Sequence, residues 1–473
     1  MSDSESSAKP ASFTVWEALI PVVALIVFLR EGLVRYQGTP HIPLLLAGIV
    51  AAGMGVRKGC SWKFIEQGIV EGIAIGLKAI LILLVVGMLI GTWITSGIVP
   101  VLIYHGLNLL SPSIFLVAAC LICCVVSVAT GSSWTTAGTV GIALIGVGQG
   151  LGISPAMAAG AIISGSYFGD KLSPLSDTTN LAAAVTGAEL FEHIRYMLHT
   201  TIPALVIALV LYALLGSTSG QGGDAAMVTL IRETLSKSFN LNPILLLPPL
   251  FVIVMVVFRL PALPALMAGV VLGALLAGFV QGVPVSKILG AAQAGFVSTT
   301  GVENVDKLLS RGGLEGMMPT VSLILCALAF GGVMERTGLL PTLAGAIMKL
   351  AQGTGKMVAA TVVTCFGVNI LAPDQYLSIV LPGRMYKEAY EQSGLQPKVL
   401  SRTLEDAGTL SSPLIPWNAC GAFMGGTLGV TAASYAPYAF FNLLCPVIGI
   451  VIASMGWKIA RIDSKSNSGA REP

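Results

Sequence analysis

Charged side chains are scarce in this sequence of 473 residues. Asp, Glu, Lys and Arg make up 10% of it, whereas soluble globular domains carry about 25%. This scarcity excludes an ordinary water-soluble enzyme. A net charge of only +3 and the lack of a long basic run argue against binding to nucleic acid. The eight cysteines lie mostly in apolar stretches, which is typical of small buried residues rather than metal ligands or redox pairs.

Apolar residues are abundant instead and make up 55% of the chain. A helix needs about 17 to 25 residues to cross the hydrocarbon core of a bilayer. Because the strands of a membrane β-barrel would alternate over about ten residues, long apolar stretches predict an all-α polytopic membrane protein. Apolar cores that reach this length with their flanks occur at residues 16–29, 43–56, 68–94, 113–128, 202–215, 243–258, 262–280, 317–333, 357–370 and 437–455.

The two halves of the chain share short motifs in the same order. The string TSGIVPVL matches RTGLLPTL, with Gly97 opposite Gly338 at an offset of 241 residues (338 minus 97). The string FGDKLSPLSDTTN from Phe168 matches AGTLSSPLIPWNA from Ala407 at an offset of 239 (407 minus 168). A near-constant offset of about half the chain favours an internal duplication.

Polar stretches mark the predicted boundaries of the repeats. If each repeat has an odd number of crossings, the two halves are inverted with respect to one another, which is usual in secondary transporters. A polar stretch at residues 283–316 is predicted to be an extramembrane insertion in the second repeat. The predicted order is a polar tail, the first repeat, a polar linker, the second repeat and a second polar tail, at residues 1–13, 14–216, 217–240, 241–458 and 459–473.

Polar interruptions break two apolar segments in each half. They are VATGSSWTTAGT and SGSYFGDKLSPLSDTTNLAAA in the first half, and GVNILAPDQYLS and LEDAGTLSSPLIPWN in the second. Because lipid cannot satisfy free peptide groups, non-helical backbone at membrane depth must be buried in protein or line a cavity. Corresponding broken helices in two repeats indicate the binding site of a transporter.

The interruptions of the first half carry carboxylates and neutral oxygen ligands, which hard cations prefer. An aspartate at the bilayer centre costs about 2.5 to 3.5 kcal/mol on insertion scales, so Asp170 and Asp177 need compensation by a cation, a proton or Lys171. We therefore predict that these two aspartates are the metal ligands of a Na+ site. A helix cap or a small-residue packing face is the structural alternative for the tip. The other predicted ligands of the first half are Gly131, Ser132, Ser133, Thr135, Ser173, Thr178 and Asn180.

The interruptions of the second half carry acids at different positions. The offset of 241 places Asp374 opposite Ser133. Glu405 and Asp406 are adjacent, and repulsion between them suits a group that must bind either H+ or a cation. The alternative is that one of these two acids pairs with Arg402 at a helix end near water. The other predicted ligands of this half are Asn369, Thr409, Ser412 and Asn418.

Three cationic side chains lie in the apolar stretches or beside the interruptions. Lys78 is embedded in the apolar string GIAIGLKAILILLVVGMLIG and is expected to pair with Glu71 or to extend to the interface rather than to touch substrate. Lys171 is interpreted as a salt-bridge partner or an interfacial side chain. If the substrate is a small carboxylate, Lys171 or Arg402 would instead help to hold its negative charge.

The strings GSSWTTAGTVGIALIGVG and GAIISGSYFGDKLSPLSDTTNLA resemble the core of the NhaC family of bacterial Na+/H+ antiporters, within the wider ion transporter superfamily. The similarity covers most of the chain, from Pro21 to Met455. It implies a multi-pass protein of the bacterial inner membrane, not an enzyme, that exchanges external H+ for internal Na+ without a cofactor. It also implies inverted repeats in which re-entrant hairpin tips meet broken helices, an elevator-type moving domain, and a homodimer.

The second break departs from a symmetric cation site. By the resemblance, the first Na+ site uses the tip at residues 131–135 with the break at residues 170–180. In SSPLIPWN, Pro416 stands at the predicted counterpart of Asp177, so the acid is absent. This asymmetry predicts a cation site in the first half and leaves room for a different second function.

Three functions are compatible with these features. The first is exchange of Na+ for H+ by alternating access, in which one ion or the other occupies the carboxylate site. The second is Na+- and proton-coupled exchange of small carboxylates such as malate and lactate, on the same architecture. A remote third is an intramembrane aspartyl protease, because the string YFGD at Asp170 is similar to the Gly-x-Gly-Asp signature of those enzymes.

Overall fold

The structure is a computed structural model that describes residues 12–219 and 225–462. Regular structure in this part of the chain is helical, apart from an isolated bridge between Leu395 and Arg461. The helices of the first half are α1 Val15–Leu29, α2 His41–Arg57, α3 Trp62–Thr95, α4 Ile98–Leu109, α5 Pro112–Thr130, α6 Ser133–Thr136, α7 Ile142–Gly150, α8 Pro155–Leu172, α9 Asp177–Thr186 and α10 Leu190–Ser219. Those of the second half are α11 Ala225–Ser238, α12 Leu247–Val257, α13 Ala262–Phe279, α14 Val285–Ala294, α15 Glu303–Leu309, α16 Met318–Arg336, α17 Leu339–Met348, α18 Thr354–Leu371, α19 Gln375–Gln392, α20 Pro397–Leu404, α21 Ala419–Leu428, α22 Ala432–Tyr435 and α23 Phe440–Ser454.

Many of these helices are long and apolar enough to cross a membrane. Within the described residues there are six such helices, or up to eight spans if two bent helix pairs each count as one. The bent pairs join residues 226–238 to 243–257 at 108° and residues 432–438 to 440–454 at 58°. The prediction of an all-α polytopic membrane protein is therefore confirmed, whereas elevator-type movement stays a prediction.

The helices α4 and α17 begin with the same backbone turn. Gly97 precedes α4 with φ 83° and ψ 2°, and Gly338 precedes α17 with φ 92° and ψ 3°. In left-handed backbone a Cβ crowds the following carbonyl, which costs other residues about 1–2 kcal/mol. The two glycines that the sequence motif pairs therefore make the same turn in each half, as a duplication predicts.

The helices that lead into these turns, α3 and α16, pack against each other in opposite directions. A Cβ added at Gly68 would collide with Arg336, and a Cβ added at Gly76 would collide with Leu328. Contacts thus move backwards along α16 as they move forwards along α3. Equivalent helices that run antiparallel are the arrangement that an inverted repeat requires.

The crossing of α3 and α16 requires glycine at position 72. A Cβ there would lie 2.7 Å from the Leu328 carbonyl oxygen and 2.9 Å from Gly332 Cα, and these backbone atoms cannot rotate away. We expect Gly72→Ala to lower the melting temperature in detergent, because overpacking costs about 1–3 kcal/mol. Gly53→Ala on α2 is the matched control, since nothing lies within 4 Å of its added Cβ. Equal melting temperatures of the two variants would contradict a close crossing.

Each half contains a helical hairpin with a polar tip. In the first half, α5 ends before Gly131, and Ser132 caps the start of α6. In the second half, α18 ends at Leu371, and Asp374 caps the start of α19. The caps pair Ser132 with Asp374 at an offset of 242 (374 minus 132). The predicted pairing of Asp374 with Ser133 is therefore wrong by one residue.

Each half also contains a broken helix that meets the hairpin tip. Ser176 caps α9 after the first break, and Asn418 caps α21 after the second, at an offset of 242 (418 minus 176). Because the motifs before the breaks are offset by 239, the second break is three residues longer (242 minus 239). Asp177 therefore has Ala419 as its counterpart, and the predicted pairing with Pro416 is wrong.

Two of the predicted polar segments contain helices. The helix α11 lies within the predicted linker, and α14 and α15 lie within the predicted extramembrane insertion. The loop after α15 contacts α3, where the Gly313 N–H donates to the Gly87 carbonyl oxygen at 2.7 Å. Most of the predicted tails, and residues 220–224 of the linker, lie outside the described residues. The boundaries themselves stay predictions.

Candidate ion-binding site

The hairpin tip of the first half holds the carboxylate of Asp170. The N–H and the hydroxyl of Ser133 both donate to Asp170 Oδ2, at 3.1 and 2.6 Å. The tip packs closely on the break because residue 131 is a glycine. A Cβ added to Gly131 would lie only 2.6 Å from Leu175 Cβ. The other carboxylate oxygen, Asp170 Oδ1, is buried and has no hydrogen-bond partner among the described residues. Asp170 thus has one oxygen held by Ser133 and one buried oxygen without a partner in the described part of the chain.

Two hydrogen bonds join the first turn of α9 to the second half of the chain. The Tyr376 hydroxyl donates to Asp177 Oδ2 at 2.6 Å, and the Thr178 hydroxyl donates to Glu405 Oε1 at 3.0 Å. The free N–H groups at the N-terminus of a helix favour nearby negative charge, so the start of α9 is a favourable position for the carboxylates of Asp177 and Glu405. The start of α9 is therefore a contact between the repeats as well as part of the break.

A cavity of about 700 Å³ opens between the two hairpin tips. Asp170, Asp177 and Asp374 line one side of it, together with the tip residues Ser132 and Ser133. Residues of α3 and of the turn between α12 and α13 also line it. Its volume lies within the range of about 300–1,000 Å³ that is usual for small-molecule sites.

Asp374 has a structural role in addition to lining the cavity. Its Oδ1 accepts the N–H groups of Tyr376 and Leu377, at 2.8 and 3.0 Å. The equivalent Ser132 accepts the N–H of Thr135 at 3.1 Å in the same way. One oxygen of Asp374 therefore caps α19, whereas Asp170 Oδ1 has no hydrogen-bond partner in the described part of the chain.

The two adjacent acids of the second half lie behind the cavity rather than in its wall. Glu405 Oε2 is buried and has no hydrogen-bond partner among the described residues. Asp406 forms a buried ion pair with Lys171 and accepts the hydroxyl of Thr200 at 3.0 Å. Arg402 Nε lies 3.7 Å from Asp406 Oδ2, and this arginine is also buried. The predicted contact with Arg402 is thus confirmed, but its predicted position near water is wrong.

The remaining predicted ligands hold the interruptions together. The Asn369 amide donates to the Gly408 carbonyl oxygen at 2.7 Å, and the Asn418 amide donates to Asn369 Oδ1 at 3.0 Å. The Asn180 amide donates to the Pro174 carbonyl oxygen at 2.9 Å. Such bonds satisfy carbonyl groups that a broken helix leaves free. The predicted ligands that do not line the cavity are Thr135, Ser173, Thr178, Asn180, Asn369, Glu405, Asp406, Thr409, Ser412 and Asn418.

Three charged or phenolic side chains of the cavity wall, Lys78, Arg259 and Tyr376, were not among the predicted ligands. Of the two roles expected for Lys78, the pair with Glu71 is not formed; Glu71 instead forms an ion pair with Arg336 at 3.2 Å. A lone cation in an apolar helix was a signal for Lys78, since membrane segments rarely keep a charge without a function. Tyr376 follows the acidic tip by two residues, whereas no sequence signal identified Arg259.

The carboxylates do not form a cluster of the transition-metal type. In the described residues, no group of three or more His, Cys, Asp or Glu side chains could hold a metal ion together. A bound cation would therefore combine one or two carboxylates with hydroxyl and carbonyl oxygens, which hard cations prefer. Asp170 and Asp177 both reach the cavity, as their predicted role in a Na+ site requires.

Comparison with known proteins relates this chain to transporters. Residues 165–457 match the sequence model of the Na+/H+ antiporter family. The Na+/H+ antiporter NhaC of Alkalihalophilus pseudofirmus is 43% identical over 90% of the chain and 93% of that protein. The arginine/ornithine antiporter ArcD of Halobacterium salinarum is 41% identical over 95% and 94%. The malate-2H+/Na+-lactate antiporter of Bacillus subtilis is 38% identical over 94% and 95%.

Proposed function

The chain belongs to the Na+/H+ antiporter family, and from this premise we propose that it exchanges Na+ for H+ across the membrane by alternating access. The observation that carries the proposal is the carboxylate of Asp170, which the hairpin tip holds at a cavity between two broken helices. The protein is a multi-pass membrane transporter and not an enzyme, so the hypothesis of an aspartyl protease is set aside.

The chemistry of the site follows from the two oxygens of Asp170. Ser133 holds Oδ2 by two hydrogen bonds, while the unpartnered Oδ1 would accept a Na+ ion or a proton. A buried carboxylate without a positive partner is costly at membrane depth. A site that holds an ion is therefore expected to move across the membrane more readily than an empty one. Because Na+ and H+ occupy the same site alternately, the movement of one ion is coupled to the movement of the other.

We propose that the hairpins and broken helices are the part of the protein that moves between the inward-facing and outward-facing states. Tyr376 joins the hairpin of the second half to the broken helix of the first, and Thr178 joins the two broken helices, so these parts would move as one body. The helices α3 and α13 line the same cavity and would serve as the fixed frame. We also propose that the protein lies in a bacterial inner membrane and forms a homodimer, as the family resemblance implies.

The structure gives no support to Lys171 or Arg402 as ligands of an anionic substrate. Both are buried beside Asp406, and neither lines the cavity. Their charges already have a partner in that carboxylate. If an organic anion binds in this protein, other cations must recognise it.

Na+-dependent proton movement in proteoliposomes tests the proposed exchange. With an acidic interior and a pH-sensitive dye, added Na+ is expected to collapse the pH gradient. Titration with Na+, Li+ and K+ then gives the ion preference. If none of these ions moves protons through the wild-type protein, the proposal is refuted.

Ser133→Ala is expected to raise the half-saturating Na+ concentration about tenfold, because a hydrogen bond to a charged group contributes about 1.5–3 kcal/mol. The variant loses the Ser133 hydroxyl that donates to Asp170 but keeps the backbone N–H that also donates. Ser236→Ala is the matched control, since that exposed hydroxyl bonds only locally to the Glu233 carbonyl oxygen. The same Na+ dependence in both variants would contradict the role of the tip.

A further inference from the structure

The frame helix α3 has an interrupted counterpart in the second half. Its first and last residues, shifted by 241 positions, coincide with the start of α15 and the end of α16 (303 minus 62, and 336 minus 95). Residues 310–317, the frame break, separate α15 from α16, whereas α3 is continuous. The frame break stays attached to α3, because the Gly313 N–H donates to the Gly87 carbonyl oxygen at 2.7 Å. It carries Arg311, whose counterpart on α3 is the apolar Val70 (311 minus 241).

Arg311 reaches from the frame break to the part of the protein that is proposed to move. Its Nη2 donates to the carbonyl oxygen of Ile142 at 3.2 Å, and Ile142 begins α7, which follows the tip of the first hairpin. A Cβ added at Gly429 would lie 3.7 Å from Arg311 Nη1, and Gly429 caps the C-terminal end of α21. Because the C-terminal end of a helix carries partial negative charge, it is a favourable position for a guanidinium group.

The charge of Arg311 is held differently from that of other arginines in the protein. Arg336 and Arg402 each lie within 4 Å of a carboxylate, at 3.2 and 3.7 Å. In the described part of the chain no ion pair includes Arg311, and its buried Nε has no hydrogen-bond partner there. A carbonyl oxygen binds a guanidinium less strongly than a carboxylate does, so this contact can be released more readily.

The contact of Arg311 lies at the end of α21 that is remote from the cavity. Ala419 and Cys420, at the start of α21, line the cavity, whereas Gly429 follows its last residue. A helix of 10 residues separates these ends by about 15 Å. At the remote end α21 also packs closely on the frame, since a Cβ added at Gly426 would lie 2.9 Å from Thr320 Oγ1 on α16. The moving part and the frame are therefore closed against each other beyond the cavity.

We propose that Arg311 is a latch, a releasable contact that holds the moving part against the frame on the side remote from the cavity. The proposal rests on the proposed function, because the contact must open when alternating access exposes the site to that side. Arg311 is then a positioning residue for transport and not a ligand of the ion. Since Val70 stands at the equivalent position of α3, the latch stabilises one end state and has no counterpart for the other.

Arg311→Gln tests the latch through the Na+ dependence on the two sides of the membrane. Exchange of labelled for unlabelled Na+ is measured in right-side-out and in inverted vesicles, which gives a half-saturating Na+ concentration for each side. Apparent affinity on each side follows the population of the state that is open to it. Loss of one hydrogen bond from a charged donor is therefore expected to change the ratio of the two concentrations about tenfold or more. One concentration rises and the other falls.

Two further variants separate the latch from a general defect. Arg311→Lys keeps a positive donor and is expected to restore the ratio at least in part. Arg57→Gln removes an exposed arginine at the end of α2 and is expected to leave the ratio unchanged. A defect of folding or of ion binding would shift both concentrations in the same direction. A shift of that kind in Arg311→Gln, or an unchanged ratio, would overturn the proposal.

A disulfide across the same interface tests whether the contact opens during transport. In a protein with Thr320→Cys and Gly426→Cys, the two Cβ atoms would lie 3.5 Å apart, within the range of about 3.5–4.5 Å that a disulfide needs. Oxidation is expected to stop Na+ exchange and a reductant to restore it, whereas the wild type and each single variant keep exchanging under the same oxidant. Exchange at the wild-type rate by the cross-linked protein would overturn the latch alone. A wild type that moves no Na+ would refute the proposed function, and the latch with it.

Discussion

Asp170→Asn is expected to reduce Na+-dependent proton movement in proteoliposomes to the level of empty vesicles. The amide has nearly the same shape, but it carries no charge to balance Na+ and no site for an exchangeable proton. Replacing a buried carboxylate by a neutral group creates no new buried charge, so the variant is expected to fold. The loss would therefore report on ion binding rather than on stability.

Two further variants make this result interpretable. Glu303→Gln removes an exposed acid on α15, whose side chain is 79% exposed, and is expected to retain exchange. Asp177→Asn removes the second carboxylate of the predicted Na+ site and the charge that strengthens the hydrogen bond from the Tyr376 hydroxyl, and is expected to impair exchange strongly. Full activity of both aspartate variants would refute the assignment of the ion site.

Asp406→Asn is expected to lower stability more than Lys171→Met does. Removing one member of a buried ion pair costs about 3–5 kcal/mol, because the other charge is left uncompensated. Loss of Asp406 leaves two buried cations, Lys171 and Arg402, without their carboxylate. Loss of Lys171 leaves Asp406 with Arg402 at 3.7 Å and the hydroxyl of Thr200 at 3.0 Å. Melting curves of the purified variants in one detergent measure the difference.

The control for this comparison is an exposed ion pair of the same kind. Glu233 and Lys237 lie 3.4 Å apart on α11, with side chains 58% and 77% exposed. Glu233→Gln is expected to change stability by no more than about 0.5 kcal/mol, because surface pairs contribute little. If Asp406→Asn melts at or above the temperature of Lys171→Met, the buried cluster does not stabilise the fold in the way described.

Much of the fold could be predicted because its turns require particular residues, which are recognisable in the sequence. Gly97 and Gly338 are conspicuous since only glycine adopts their backbone without strain, and they identified the repeat. The polar tips and breaks stood out because lipid excludes such residues unless protein surrounds them. Asp170 was predicted by the same reasoning, and the structure places it where a hairpin tip meets a break.

Other features depend on contacts that a linear pattern does not contain. The pair of Lys171 with Asp406 joins residues 235 positions apart, so neighbouring charges in the sequence gave no indication of it. The register of the second half shifted because three extra residues lie inside a break, where no helical period fixes the alignment. Arg259 could not be found in the sequence because only the folded chain brings it to the cavity wall.

The longer second break has an energetic consequence for the transport cycle. In a transporter built from inverted repeats, identical halves would give the two end states equal free energy in the absence of a gradient. Here Asp170 and Asp177 have Thr409 and Ala419 as counterparts. When the two halves exchange conformations, the second end state therefore has a different arrangement of charge from the first. We therefore expect the resting protein to face one side of the membrane preferentially, and an ion gradient to act on a cycle that is already biased.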